Sequence, residues 1–324
     1  MLGLDLSREK DLVAPDVSVV VPIHNEQGSI PLLLPRLEAV MKVFSHEVIL
    51  IDDGSSDRSI ELLRAAAAKD NRIKLLSFSR NFGHQVAVTA GLEYARGKAI
   101  VIIDADLQDP PEVIVPMVAK WREGYDVVYG KRARREGESF MKKATAKLFY
   151  RVMRSLTQFS IPVDTGDFRL VSRRAADAFL AMPERQRFVR GMFSWVGFRQ
   201  TGVVYNREVR QQGQTNYTYA KMIRLAFDGI TSFSYIPLKL ASYVGFCSAG
   251  FGFVMILYSI YEKFYGADTM KGWASILVTV LFLGGTQLLM IGLLGEYVGR
   301  VHDELKQRPL YIIRERANLD GPDA

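Results

Sequence analysis

Ala99-Ile100-Val101-Ile102-Ile103-Asp104-Ala105-Asp106-Leu107-Gln108-Asp109-Pro110-Pro111 decides how the chain folds. A run of β-branched residues reads as a buried strand. It ends in Asp104, Ala105 and Asp106, and two prolines then open a helix. A continuous apolar strand of this kind belongs to a parallel sheet covered on both faces. Two carboxylates one residue apart at a strand end can hold a divalent cation with open coordination sites. Mg²⁺ in particular is shared between one or two carboxylates and substrate phosphates. An isolated Asp-x-Asp can also be no more than an acidic loop capping a strand, so the surrounding chain has to decide.

Working outward, strands and helices alternate over the first ~130 residues, which argues for an α/β fold with a mostly parallel sheet. Ser18–Pro22, Glu47–Asp52, Ile73–Phe78, Ala99–Asp104 and Asp126–Tyr129 read as strands. Ser29–Met41, Ser56–Ala68, His84–Ala95 and Pro111–Trp121 read as helices. Open α/β sheets bind ligands beyond the carboxyl ends of their strands. Polar clusters fall at those ends: His24-Asn25-Glu26, Asp52-Asp53-Gly54-Ser55 and Asp104-Ala105-Asp106. One crevice can gather all three.

Beyond Gly130 the composition turns basic. Lys131, Arg132, Arg134, Arg135, Lys142, Lys143, Lys147, Arg151 and Arg154 face only Glu136 and Glu138. Phe140, Ala144, Leu148, Val152 and Leu156 recur every four residues, so residues 138–157 form a basic amphipathic helix. Such a helix either lies in a membrane interface or packs on the sheet with a solvated basic face. A second candidate, Tyr219–Tyr235, leads into an apolar region.

That region sets the class of the molecule. The 324 residues allow one large or two modest domains. The mean hydropathy of +0.05 reflects two stretches without charge: 22 positions between Lys239 and Glu262, and 24 between Lys271 and Glu296. Each exceeds the roughly 20 residues a helix needs to cross a bilayer. Met1–Asp16 has no apolar core of a signal peptide. Lys221, Arg224 and Lys239 precede the first stretch; Arg300, Lys306, Arg308, Arg314 and Arg316 follow the second. The positive-inside rule then places both termini and the large N-terminal domain in the cytoplasm, at the inner (plasma) membrane, with the short connection outside. Cys247, the single cysteine, lies within the first stretch and excludes a disulfide framework. The net charge of +7 suits anionic headgroups and phosphates better than nucleic acid. Glycines in the stretches (Gly245, Gly250, Gly252, Gly284, Gly285, Gly292, Gly295) permit close helix packing, including a homo-oligomer.

Two nucleotide-binding signatures are missing. No Gly-x-Gly-x-x-Gly follows the first strand, and Ala99 stands after Gly97-Lys98 where a Walker loop needs Ser or Thr. Both absences argue against a dehydrogenase and a P-loop ATPase.

What is present resembles glycosyltransferase family 2. Val19-Val20-Val21-Pro22-Ile23-His24-Asn25-Glu26 is similar to its first strand and turn, with His24 where Tyr is usual. Asp52-Asp53-Gly54-Ser55-Ser56-Asp57 is similar to its second strand end. Asp104-Ala105-Asp106-Leu107-Gln108-Asp109-Pro110-Pro111 resembles the metal motif of the polyisoprenyl-phosphate branch, related to dolichol-phosphate mannose synthase. Gly130-Lys131-Arg132, Thr165-Gly166-Asp167-Phe168-Arg169-Leu170 and Arg187-Phe188-Val189-Arg190-Gly191 agree with that branch. With the two C-terminal stretches, the likeness is greatest to bacterial bactoprenol glucosyltransferases, over roughly residues 17–300.

The resemblance implies a GT-A type domain over residues 17–215, after an N-terminal extension (1–16). A juxtamembrane helix (216–237), two transmembrane helices (238–299) and a cytoplasmic tail (300–324) follow, the tail beyond Pro309 being a charged appendage. It implies inverting, metal-dependent transfer of a sugar from a nucleotide sugar, UDP-glucose in the first place, to polyisoprenyl (undecaprenyl) phosphate. GDP-mannose and a UDP-aminoarabinose donor are served by near-identical motifs. Asp53, helped by Pro22, Asn25 and Glu26, is implied to hold the donor's uracil or ribose; Asp52 has a capping alternative. Asp104 is implied at the ribose or the metal, and Asp104, Asp106 and Gln108 form the set for Mg²⁺ or Mn²⁺, which acts as a Lewis acid on the diphosphate. Arg132 and Arg210 are implied at phosphates of donor or acceptor, with Thr215 and Tyr217 beside Arg210. The family pattern Arg-x-x-Gly-x-Ser-Lys-Tyr appears as Arg210 to Tyr217 with Asn216 in place of the cation. Asp167 is implied near the reacting carbon, ahead of Asp164; its structural alternative is a salt bridge to Arg169 or Arg173. The catalytic set is thus Asp104, Asp106 and Asp167. A processive synthase would carry Gln-x-x-Arg-Trp, and Gln186 and Arg190 are spaced wrongly for it. A silent partner subunit would have no chemical reason to keep Asp104, Asp106 and Gln108.

Overall fold

The computed structural model describes residues 14–133, 165–208, 236–265 and 272–319. They fall into two units: a sheet with its helices, rejoined by the residues after Arg308, and a pair of long helices.

In the first unit the apolar runs become strands. These are β1 (Val17–Ile23), β2 (His46–Asp52), β3 (Ile73–Phe78), β4 (Ala99–Ile102) and β5 (Val127–Arg132). Between them stand α1 (Ile30–Met41), α2 (Ser59–Lys69), α3 (His84–Tyr94) and, after a 3₁₀ turn at Pro111–Val113, α4 (Ile114–Arg122). Every residue of β1 and β4 is buried, as helices on both faces require. Where α3 crosses the sheet, a Cβ at Gly91 would lie 2.2 Å from Val20 Cγ1, so only glycine lets the helix sit that close.

Three further strands complete an eight-stranded sheet: β6 (Thr165–Ser172), β7 (Gln200–Tyr205) and β8 (Ile313–Ala317), with α5 (Arg173–Leu180) and α6 (Val189–Trp195) between β6 and β7. The order is β7-β5-β6-β4-β1-β2-β3-β8. β1 pairs in parallel with β2 and β4, β2 with β3, and β5 with β7; β6 and β8 run antiparallel to their neighbours. The sheet is thus mostly parallel. Strand order reverses between β1 and β4, where a parallel sheet opens its binding crevice.

The tail beyond Pro309 is no appendage. β8 pairs with β3, Tyr311 stacks on Phe78 at 4.9 Å, Arg64 binds Glu315 at 2.8 Å, and Asn318 donates to the carbonyls of Ala67 and Ile73. Along Ile313–Ala317 exposure alternates, with Arg314 and Arg316 exposed and Ile313, Glu315 and Ala317 half-buried, because the strand covers an edge and keeps one face in water.

The second unit holds α7 (Ile236–Tyr265) and α8 (Trp273–Leu305), of 30 and 33 residues. At 1.5 Å per residue, each outreaches the ~30 Å apolar core of a bilayer. Among the described residues, Ala241–Tyr258 is long and apolar enough to cross a membrane. Phe246, Phe251, Phe253 and Ile256 on α7, and Leu288, Leu289 and Ile291 on α8, are exposed. The basic segment 138–157 and residues 216–235 of the juxtamembrane segment lie outside the described residues.

Candidate active site

Register brings three loops level at the carboxyl edge. Ile23 pairs with Asp52, the Asp53 N–H donates to the Ile23 carbonyl, and the Ile103 N–H donates to that of Val20. The loop after Pro22 is sewn to the loop after β2. Asn25, at φ 56°, donates its N–H to Ser55 Oγ and accepts the Ser56 N–H on Oδ1 at 2.8 Å. The Glu26 N–H donates to Ser59 Oγ, and Glu26 Oε2 accepts the Ser29 hydroxyl at 2.6 Å. Asp52 accepts the Ser55 N–H and the Ser77 hydroxyl. It therefore caps a turn and ties β2 to β3.

Asp53 does something the motif does not announce. Its two oxygens accept the N–H groups of Phe82 (2.6 Å) and Gly83 (2.9 Å). Burial raises its pKa, and these donors only partly offset that. Gly83 stands at φ 101°, a conformation costly for other residues, and the turn delivers His84 as the first residue of α3.

The Asp104–Asp109 loop follows β4. Leu107 sits at φ 59° with its side chain buried, so core packing holds a strained backbone while Asp106 and Gln108 face the crevice half-exposed. Asp106 Oδ1 accepts the Gln108 N–H at 3.1 Å. Behind the loop, Asp109 is fully buried and accepts the Tyr205 hydroxyl; Arg207 Nε stands 4.0 Å away. Arg132, at the end of β5, lies against Gly166, where a Cβ would meet its Nη2 at 2.8 Å.

β6 supplies the opposite wall. Ile102 faces Arg169 in an antiparallel pair, and continuing that register by two residues sets Asp167 across from Asp104. Asp167 is buried and receives both Arg190 Nε (2.7 Å) and Nη2 (3.1 Å) from α6. Burial would raise its pKa, but Arg190 and His84 hold the carboxyl well below the usual range. His84 Nε2 lies 3.3 Å from Asp167 Oδ2 and 3.6 Å from Asp104 Oδ1. Burial pulls its pKa down, and the two carboxylates more than reverse this, pushing it up to about 9. Asp104 is pushed up to about 6 by burial, relieved by His84 and aggravated by Asp167, Asp109 and Asp106.

The crevice thus holds Asp104, Asp106, Gln108 and Asp167, with Arg132 beside Gly166 and the Pro22–Glu26 turn at the β1 end. The salt-bridge partner of Asp167 is Arg190, not Arg169 or Arg173. Arg169 donates to the carbonyls of Asp167 and Gly166, and Arg173 donates to those of Ala95 and Gly97. Arg210, Thr215, Tyr217 and Asp164 lie outside the described residues. His84 and Arg190 were visible to the eye only as the start of a helix and a member of a motif block. The signal for His84 was its place directly after the glycine of Asn81-Phe82-Gly83, a turn at a strand end.

Asp104 Oδ1 is buried without a hydrogen-bond partner, as a waiting ligand atom would be. Among the described residues no three His, Cys, Asp or Glu side chains converge as a complete metal cage. Two carboxylates and an amide fit an ion whose remaining ligands come from substrate phosphates and water.

Residues 18–180 match the family of glycosyl transferase family 2, and residues 236–301 match the GtrB C-terminal hairpin. The chain is 50% identical to the uncharacterized glycosyltransferase YkcC of Bacillus subtilis (strain 168), over 94% of this chain and 95% of that one. It is 40% identical to the prophage bactoprenol glucosyl transferase homolog of Escherichia coli (strain K12), over 92% and 98%. Among solved structures, glucosyl-3-phosphoglycerate synthase from Mycobacterium tuberculosis, in complex with Mn²⁺, UDP-glucose and phosphoglyceric acid, is similar at 18% identity. Its TM-score is 0.45, over 67% of this chain and 78% of that one.

Proposed function

The chain belongs to glycosyl transferase family 2 and is a glycosyltransferase, and from that premise we propose that it transfers glucose from UDP-glucose to polyisoprenyl phosphate, with inversion. The reaction is placed at the cytoplasmic face of the plasma membrane, which the α7–α8 hairpin spans. The hairpin match and the 40% identity to bactoprenol glucosyl transferases support the lipid acceptor and the sugar. The observation that carries the reading is Asp104 Oδ1: a buried carboxylate oxygen without a hydrogen bond, beside Asp106 and across from an ionised Asp167.

The acceptor phosphate is already ionised near neutral pH, so its oxygen needs orientation more than a base. Asp167, locked by Arg190, orients the sugar by accepting a hydrogen bond from one of its hydroxyls. Arg132 faces the phosphates with a fork suited to paired oxygens. The turn over Pro22, Asn25 and Glu26, with the loop Asp53 holds, receives the nucleoside. Asp104, Asp106 and Gln108 would hold Mg²⁺ or Mn²⁺, which supplies Lewis-acid stabilisation to the leaving diphosphate. Attack opposite the nucleotide gives inversion.

The test is transfer of labelled sugar to undecaprenyl phosphate by full-length protein in detergent. UDP-glucose, GDP-mannose, UDP-N-acetylglucosamine and a UDP-aminoarabinose donor run side by side with Mg²⁺ or Mn²⁺. The expected result is labelled lipid from UDP-glucose, abolished by EDTA and by Asp106→Ala. Metal-dependent nucleotide binding without labelled lipid from any donor would overturn the reading.

A further inference from the structure

His84 has no part in the transfer as derived above, yet no side chain is placed more pointedly. Its ring is about two-fifths exposed to the crevice (39%), while Nε2 itself is buried and makes no aligned hydrogen bond. That nitrogen faces Asp167 at 3.3 Å and Asp104 at 3.6 Å, one carboxylate from β6 and one from the end of β4. The backbone on which the ring is mounted is pinned twice. Asp53 grips the N–H groups of Phe82 and Gly83 just before it. The next residue, Gln85, accepts the Val189 N–H at 2.9 Å, at the start of the helix that carries Arg190. The first turn of α3 therefore touches both halves of the crevice, with His84 at the point where they meet.

We infer that His84 is a positioning residue whose Nε2 spaces Asp104 from Asp167. It holds the metal-and-donor carboxylate and the acceptor-side carboxylate at the separation the sugar must occupy. The inference rests on the transferase reading above. Two like charges facing each other in a poorly solvated crevice repel, and a fixed donor between them sets their distance without consuming either. Asp104 is thereby kept near, but not on, a hydrogen bond, free to turn toward a ligand.

Three variants of the full-length protein separate this from a packing role. Glutamine places an N–H near the reach of Nε2, asparagine near that of Nδ1, and phenylalanine fills the space with no donor. The assays are kcat with the donor that labels lipid, UDP affinity by calorimetry without and with Mn²⁺, and the melting temperature. His84→Gln is expected to keep kcat within about fivefold, while His84→Asn and His84→Phe lose about 100-fold, the cost of an ångström-scale misplacement. In the latter two, UDP affinity without metal stays within about threefold, and the gain in affinity on adding Mn²⁺ shrinks about tenfold or more because Asp104 is misplaced. Wild-type kcat and an intact Mn²⁺ gain in His84→Phe would overturn the inference. So would His84→Gln falling with the others, or metal-free binding and melting temperature collapsing together, which is the mark of a folding role. Because the Mn²⁺ gain is read without acceptor, failure of the lipid-transfer reading leaves its own signature: no labelled lipid from the wild type, with the variant pattern in UDP binding unchanged.

Discussion

Asp167 is held by three constraints at once: burial, a two-pronged arginine, and the strand register that faces it toward Asp104. Asp167→Asn keeps the shape but removes the charge that Arg190 grips with Nε and Nη2. Removing one partner of a buried pair costs about 3–5 kcal/mol, and Arg190 is one-third exposed, so a loss of about 2–3 kcal/mol in unfolding free energy is expected. Lipid labelling should fall about 100-fold, since a group that orients the sugar is lost; near-normal labelling would remove Asp167 from the reaction. Gly166→Ala probes the other wall. Its new Cβ meets only the tip of Arg132, which can swing away, so stability should hold while the donor KM rises about tenfold. An unchanged KM would mean that Arg132 does not reach the donor. Residues of this kind were half legible in the sequence. Asp104, Asp106 and Asp167 stood out as carboxylates at expected motif positions. The partner of Asp167 did not, because it comes from α6, and only the antiparallel course of β6 brings that helix near. His84 looked like an ordinary helix start, since nothing local says that a strand 80 residues on will face it.

Strands β1 to β5 could be read because continuous apolar runs between turn residues have few other uses in a protein this size. β6 hid in plain view: Thr165, Asp167, Arg169 and Ser172 are polar yet buried, each satisfied by partners that only the tertiary fold provides. β8 hid because an edge strand with three consecutive charges, Arg314, Glu315 and Arg316, reads as solvated tail. The same sheet holds an ionic lock at the opposite edge from the crevice, joining β1, β2 and β3. Glu47 accepts the Ser18 hydroxyl at 2.6 Å and the Arg96 N–H at 2.7 Å, and pairs with Lys74. Burial alone would raise its pKa, but Lys74, Ser18 and Arg96 outweigh it and hold it below the ordinary glutamate value. A depressed folded pKa means stability that is fully present above the unfolded value of about 4.3 and is lost as pH falls through the folded one. Glu47→Gln should therefore melt lower than wild type at pH 7, by the equivalent of about 1–3 kcal/mol, and the gap should narrow steadily below about pH 4.5. Melting curves from pH 3.5 to 7 test this; a gap independent of pH would show that the charge on Glu47 contributes nothing.

At the scale of the whole molecule, β8 sets a constraint on topology that charge counting could not reach alone. The chain leaves the sheet unit, runs through α7 and α8, and returns to pair with β3. A strand and its partner must lie on the same side of any membrane, so the segment between them crosses an even number of times or not at all. Two helices that outreach a bilayer core, with exposed phenylalanines and leucines along them, favour two crossings over none. The positive-inside rule then selects which side. Lys221, Arg224 and Lys239 before the hairpin and Arg300, Lys306, Arg308, Arg314 and Arg316 after it outnumber Lys263 and Lys271 in the connection. On the proposed reading the sheet, the crevice and the tail lie on the cytoplasmic side. Cys247 is the single cysteine, so a Cys247→Ser background reports on one introduced thiol at a time. In whole cells, Asp268→Cys in the connection should react with a membrane-impermeant maleimide, and Asp323→Cys in the tail should react only after permeabilisation. Labelling of both sites in intact cells, or of neither, would mean no hairpin across the bilayer. The reverse pattern would put the crevice on the far side from its donor and take the proposed reaction with it.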